Sequence, residues 1–236
     1  MHLSVIIPAY NEETRLSETL LEIDKYLKRQ TYDYEILVVS DGSSDKTVEV
    51  AESLTLKIKN LTVTGYKKNQ GKGCAVRFGM LEAKGRYRLF TDADNSTNID
   101  QIEKMWPWFK EGFDIIIGSR EVKKGAVLDP PQSFFRKTIL GEGFRLLSQI
   151  ICGTGGISDT QCGFKCFTEK AAKSIFPKCK IKGFTFDQEV LARGRSLGYK
   201  IKEIPVYWKN NPHSKVKFKN ILEMAIDLIK IRFRTR

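Results

Sequence analysis

Histidine is almost absent from this chain: His2 and His213 are the only two among 236 residues. A histidine-based acid, base or metal centre therefore has little to draw on, and neither residue is given a catalytic role. Long apolar runs are missing too. The longest charge-free stretch, Leu146–Ser158, holds three glycines, well short of the roughly 20 apolar residues of a spanning helix. Met1–Glu13 has no basic segment and turns polar after Pro8, so no secretory leader is expected. Five cysteines, an odd number, then favour reduced thiols in a cytosolic setting. Cys162 and Cys166 lack a second Cys or His pair nearby, which argues against zinc. Repeats, low-complexity tracts and Gly/Ser linkers are lacking, and one domain over residues 1–236 is the simplest organisation.

Acidic residues are outnumbered. Lys and Arg number 40 against 28 Asp and Glu, a net charge of +12. Such a surplus calls for a polyanionic partner: nucleic acid, a phosphorylated substrate or an anionic membrane surface. Its distribution is uneven, because Lys209–Arg236 holds eight Lys/Arg and two acids. No nucleic-acid reader motif is present, and paired acids at a binding rim would repel phosphate, so nucleic acid is not the expected partner.

The first 120 residues alternate strand and helix patterns. The apolar, β-branched runs Leu3–Ile7, Tyr34–Val39, Leu61–Tyr66, Arg88–Thr91 and Asp114–Ile117 read as strands. Helices are expected over Thr14–Lys28, with Leu16, Leu20, Ile23 and Leu27 on one face, after Asp41–Asp45, from Gly71 to about Lys84, and over Ile99–Lys110. Such alternation implies an α/β fold with a mainly parallel central sheet and helices on both faces. Ligands then bind outside the carboxyl ends of the strands. Tyr10–Glu12, Asp41–Ser43, Asp92–Asp94 and Gly118–Arg120 should converge on that rim. Farther on, Lys123–Ser133 reads as a loop, Phe134–Ile151 as a helix and Phe164–Phe167 as a strand with Thr168 capping the next helix. Phe184–Leu197 is then a helix, Lys200–Trp208 a strand, and a last helix starts near Lys219.

Several groups carry chemistry. Asp92 and Asp94, two apart at a strand end, can share magnesium or manganese with substrate phosphates, although Asp-x-Asp is also common in solvated loops. Asn69–Gly73 lacks the spacing of a nucleotide-triphosphatase loop. It either turns backbone amides toward an anion or makes a tight turn at positive φ. Arg120 and Arg136 flank the proline-containing loop and suit phosphate. In Phe218–Phe233, Lys219, Glu223, Asp227 and Lys230 form a narrow polar stripe on an otherwise apolar helix with basic ends. That pattern fits an interfacial helix, and equally a core-packed terminal helix with a basic fray.

Val5–Glu12, Val38–Asp45 and Asp92–Asp94, in this order and spacing, resemble the family-two glycosyltransferases of GT-A fold. Asn69–Gly73, Gly118–Arg120, Asp159–Lys165 and Phe186–Glu189 add a likeness to the dolichyl-phosphate β-glucosyltransferases and other polyprenyl-phosphate hexosyltransferases. Ser40 departs from the usual Asp before Asp41, and the N-terminal membrane anchor of the eukaryotic members is not expected within this sequence. The resemblance implies an inverting transfer of glucose from UDP-glucose to a polyprenyl or dolichyl phosphate. GDP-mannose as donor, or a sugar hydroxyl as acceptor, are the alternatives. It further implies that Pro8, Ala9, Tyr10, Glu12 and Lys72 line the nucleotide pocket, with Asp41 near the base. Asp92 and Asp94 would meet ribose and a metal-bound diphosphate, Asp92, Asp94 and Asp159 would serve catalysis, and Asp159 and Gln161 would face the sugar. Arg120 and Arg136 would approach the acceptor phosphate. Residues 1–120 would bind nucleotide, 121–210 acceptor and sugar, and 215–236 would dock on the cytosolic face of a membrane, alone or with an integral-membrane partner.

Overall fold

The computed structural model describes residues 1–121, 125–129, 143–209 and 219–235. Seven strands form the main sheet: β1 (Leu3–Ala9), β2 (Tyr34–Asp41), β3 (Leu61–Tyr66), β4 (Tyr87–Thr91), β5 (Ile115–Ser119), β7 (Phe164–Thr168) and β8 (Ile201–Pro205). Their order is β3-β2-β1-β4-β7-β5-β8. All neighbouring pairs are parallel except those of β7, which runs antiparallel to β4 and β5. A small second sheet pairs β6 (Val127–Asp129) with β9 (Tyr207–Lys209).

Strand residues alternate between two cores, as the period of two requires. Val5 and Ile7 join the core under α1 (Leu16–Leu27) and α2 (Thr47–Ser53), where Leu16, Leu20, Ile23 and Leu27 of α1 are all buried. Ile6 faces the other way, into a core with α3 (Lys72–Glu82), α6 (Glu169–Ile175) and α7 (Phe186–Ser196). The helix α5 (Gly143–Cys152) contributes Cys152 to this second core, and α8 (Lys219–Arg234) contributes Leu228 and Ile231. With both faces covered, near-continuous apolar strands are what a parallel sheet demands. The Thr168 hydroxyl caps α6 by accepting from the Ala171 amide, as its position predicts.

Three expectations need correction. Ile99–Lys110 is not one helix: a 3-10 turn (Ile99–Lys104) precedes α4 (Trp106–Lys110), with Pro107 at the start of α4. Proline lacks an amide proton and cannot continue the earlier turn's ladder. The segment read as a loop, 123–133, contains β6. The strand expected over Lys200–Trp208 splits into β8 and β9, because the chain leaves β5 and pairs next with β6. The first part of the helix expected from Phe134 lies outside the described residues. Among the described residues, no helix is long and apolar enough to cross a membrane.

Candidate active site

β1, β2, β4 and β5 are parallel, so their carboxyl ends open onto one rim after Ala9, Asp41, Thr91 and Ser119. β7 reaches the same rim from the opposite direction: Phe164 at its start pairs with Thr91 at the end of β4. The antiparallel strand thereby delivers residues 158–163 to the rim as well.

The first two loops are knitted together. The side-chain oxygen of Asn11, a residue at φ 53°, accepts from the Ser44 amide at 2.9 Å, a left-handed conformation that asparagine tolerates. The Glu12 amide donates to the Thr47 hydroxyl at 2.7 Å. Asp45, two residues ahead of Thr47, accepts from the Thr47 amide at 3.0 Å where α2 begins. Ser40, the residue that departs from the family pattern, accepts at its hydroxyl from the Ser43 amide at 3.4 Å and so steadies the turn. Pro8 and Ala9 close β1 beneath these loops, and Tyr10 is 40% exposed at the rim.

Asp41 is a buried carboxylate that holds a turn. It accepts from the amides of Gln70 (2.8 Å) and Gly71 (2.9 Å) and from the Asn69 side chain (3.1 Å). Burial pushes its pKa up, against the opposing pull of those amides. The Gly73 amide donates to the Lys182 carbonyl at 2.8 Å. Gly71 has φ +100°, and a Cβ there would stand 2.4 Å from that same carbonyl. Of the two readings of Asn69–Gly73, the tight turn is the one formed, and the amides of Gln70, Gly71 and Gly73 are spent inside the protein.

Lys72, at the first position of α3, therefore points from a fixed base. Its ammonium lies 2.6 Å from Oδ1 of Asp92. Burial disfavours its charge, but Asp92, Asp187 and Asp94 outweigh this and raise its pKa. The Asp94 carboxylate accepts from the Ser96 amide at 3.0 Å and lies 4.0 Å from Arg15. Burial first, and the Asp92 charge second, raise the Asp94 pKa. Arg15 also grips Glu12, with Nη2 to Oε1 at 3.0 Å. A cavity of about 210 Å³ beside Asp94 is lined by Arg15, Asn95, Ser96, Tyr207 and Lys209 among others.

Arg120 and Asp159 form a bidentate pair, at 2.7 Å (Nε–Oδ2) and 2.9 Å (Nη2–Oδ1), and the Arg120 amide adds a third bond to Asp159 at 2.9 Å. Burial alone would raise the Asp159 pKa, but Arg120 holds it down at about 2. The guanidinium also stands over the Trp208 ring, 5.5 Å from its centroid. Glu203 of β8 accepts from the Ser158 and Asp159 amides, and the Gln161 amide donates to Asp159 at 3.1 Å. Beneath the rim lies a fully buried pair, Lys165–Asp187 at 2.6 Å.

Pro8, Ala9, Tyr10, Glu12, Asp41, Lys72, Asp92, Asp94, Arg120, Asp159 and Gln161 thus belong to one rim. Arg136 lies outside the described residues. Sequence reasoning missed Arg15, whose i, i+3 spacing from Glu12 was the available signal. It also missed the Lys165–Asp187 pair, for which no local pattern existed. Among the described residues, no three His, Cys, Asp or Glu side chains converge as a metal site.

Residues 4–175 match the glycosyl transferase family 2 description. The dolichyl-phosphate β-glucosyltransferase of Homo sapiens is 39% identical over 248 residues, covering 98% of this chain and 75% of that protein. That of Dictyostelium discoideum is 37% identical over 246 residues, covering 99% and 75%. A Mycobacterium tuberculosis glucosyl-3-phosphoglycerate synthase, solved with Mn2+, uridine diphosphate and phosphoglyceric acid, superposes with TM-score 0.70 at 17% identity, covering 99% of this chain and 78% of that one. The mannosyl-3-phosphoglycerate synthase of Rubrobacter xylanophilus gives TM-score 0.72 at 17% identity, with 99% and 73% covered. At such identity these two structures speak for the fold alone.

The fold is that of the GT-A glycosyltransferases, and the relatives make the chain a hexosyltransferase. Nearly the whole chain aligns with one branch of that class: it belongs to glycosyl transferase family 2 and, within it, to the dolichyl-phosphate β-glucosyltransferases.

Proposed function

We propose that this protein transfers glucose from UDP-glucose to a polyprenyl phosphate of the dolichyl type, with inversion at the anomeric carbon. The observation that carries this reading is the Lys72–Asp92 ion pair beside Asp94, a cation and two carboxylates at the end of β4. A nucleoside diphosphate needs such a cation, and its ribose hydroxyls need such an acceptor. Pro8, Ala9, Tyr10 and Glu12 line the nucleotide side, with Glu12 held by Arg15. Asp41 acts through the turn that aims Lys72.

Asp92 and Asp94 fit magnesium or manganese. They supply hard oxygen ligands two residues apart, and burial, with the Asp92 charge second, holds the Asp94 pKa up. Lacking a third carboxylate partner among the described residues, such an ion would complete its shell from the diphosphate. When bound, the ion offsets the charge that grows on the departing diphosphate.

The acceptor is a phosphate monoester, already anionic because its second pKa is about 6. It needs no strong general base. Arg120, fixed by Asp159, offers a stationary cation for that phosphate, and Arg136 is assigned to the same task. Asp159 and Gln161 face the transferred sugar.

The lipid acceptor requires a membrane surface, and α8 suits docking from the cytosolic side. Ile226, Ile229 and Phe233 are exposed on it, with Phe233 at 78%, among Lys230, Arg232 and Arg234. Leu228 of the same helix is buried in the core.

Transfer of labelled hexose from UDP-glucose, GDP-mannose and UDP-N-acetylglucosamine to one short polyprenyl phosphate, with free glucose as a control acceptor, tests the reading. Label should move from UDP-glucose to the lipid phosphate alone. Transfer from GDP-mannose, or to the free sugar, would overturn the donor or the acceptor assignment respectively.

A further inference from the structure

Glu189 is buried in α7, with no exposed surface, and has no place in the rim. Its carboxylate nevertheless has four donors. Oε2 accepts from the amides of Lys180 (2.8 Å) and Ile181 (2.7 Å), and Oε1 accepts from Nε (3.1 Å) and Nη2 (2.8 Å) of Arg193. Residues 179–182 belong to no helix or strand, so these two amides have no ladder to enter. An anionic acceptor satisfies both at once, and Arg193 offsets the cost of burying its charge.

The fastened segment is the surface against which α3 begins. The carbonyl of Lys182 accepts from the Gly73 amide at 2.8 Å. A Cβ on Gly71 would stand 2.4 Å from the Lys182 oxygen, and one on Gly73 would stand 2.5 Å from the Ile181 oxygen. The two glycines thus let the helix start lie directly on this backbone. Lys72 sits between them, with its ammonium 2.6 Å from Asp92. Asp41 clamps the same turn from the sheet side through Gln70 and Gly71.

We propose that Glu189 is a positioning residue for donor binding: by fastening residues 180–182 it fixes the backbone of Lys72, and so the place of the lysine charge. This rests on reading Lys72 as a contact of the donor diphosphate. The same network reaches the chain's end, since Nη1 of Arg193 donates to the Arg234 carbonyl of α8 at 3.2 Å.

Two measurements test it on the full chain. Hydrogen exchange of the Gly73 amide reports the fastening without any nucleotide, and calorimetry with UDP reports the consequence. Glu189→Ala should speed Gly73 exchange and weaken UDP about tenfold, the loss typical of a misplaced charged contact, while the KM for polyprenyl phosphate stays within about twofold. Glu189→Gln keeps an oxygen for the two amides but opposes Arg193. It should melt lower than wild type, yet recover most of the UDP affinity, a split that a merely structural role would not produce. In a Lys72→Ala background, Glu189→Ala should cost no further UDP affinity.

Should Glu189→Ala fail to fold, the paired change Glu189→Leu with Arg193→Leu removes acceptor and cation together, the gentler exchange for a buried ion pair. Unchanged Gly73 exchange in a folded variant, or UDP losses that add in full with those of Lys72→Ala, would overturn the proposal. A wild-type protein that does not bind UDP would instead overturn the donor reading, and Gly73 exchange alone would then decide whether Glu189 fastens the base of Lys72.

Discussion

Gly163 lies directly against the carboxylate of Asp92: a Cβ at Gly163 would stand 2.0 Å from Oδ2 and 2.3 Å from Cγ. The Asp92 amide donates to the Gly163 carbonyl at 3.2 Å, so the two backbones are tied as well. Gly163 is needed here for want of a side chain, since its φ is not in the left-handed region. The space it leaves lets Asp92 turn toward Lys72.

Gly163→Ala should therefore displace the Asp92 carboxylate from Lys72. An active-site group moved by about 1 Å can lose roughly a hundredfold in rate, and a loss of that order is expected in glucose transfer. Crowding of this kind costs about 1–3 kcal/mol of stability, so the variant should still fold. Initial rates and a melting curve check both statements, and a wild-type rate would mean that Asp92 needs no fixed position.

Asp94→Asn should separate stability from function. The folded-state pKa of Asp94 is raised, by burial and then by Asp92, so its ionised form opposes folding at neutral pH. The neutral amide relieves that opposition, and Tm should hold or rise. Glucose transfer should fall by about a hundredfold or more if Asp94 holds the proposed cation, because that oxygen ligand would lose its charge. Calorimetric titration of Mn2+ with UDP should show the same loss; unaltered Mn2+-dependent binding would exclude Asp94 as a ligand.

Asp159 behaves in the opposite sense. Its folded pKa of about 2 lies below the ordinary 3.8, so the unfolded chain takes up the proton first as pH falls. The stabilisation is complete above pH ~4 and is lost between ~4 and ~2, amounting to about 2 kcal/mol. Arg120→Ala removes the partner and leaves Asp159 buried, which should cost about 3 kcal/mol or more at neutral pH. Urea unfolding at pH 7 and pH 3 measures both: the penalty of Arg120→Ala should shrink at pH 3.

The two faces of α8 should respond differently to serine. Ile226, Ile229 and Phe233 are exposed, whereas Leu228 and Ile231 have no exposed surface. Serine at the first three should reduce sedimentation with anionic liposomes and leave Tm nearly unchanged. Serine at Leu228 and Ile231 should lower Tm, since each buried aliphatic side chain lost from a core costs about 2–5 kcal/mol. Salt should weaken the liposome binding, as each Lys or Arg near the surface contributes about 1 kcal/mol of screened attraction. A wild-type protein indifferent to liposomes would remove α8 from membrane docking.

Local pattern was enough for much of this protein. Leu16, Leu20, Ile23 and Leu27 announce α1 because their spacing matches the helical repeat. The apolar runs of β1, β2 and β5 announce strands buried on both faces, and their alternation with helices places Tyr10, Asp41, Asp92 and Arg120 on one rim before any coordinate is known. The motifs around them also carried the family. Tertiary structure alone decided who meets whom on that rim. β7 runs antiparallel between parallel neighbours, and only that reversal brings Asp159 to Arg120 and Gly163 to Asp92. Lys165 and Asp187, 22 residues apart, meet in the interior, and Glu189 reaches Lys72 through a segment with no regular structure. Periodicity reports which face of an element is apolar because burial is paid locally, residue by residue; pairing between distant charges depends on how the elements stack, and leaves no trace in the spacing of either partner.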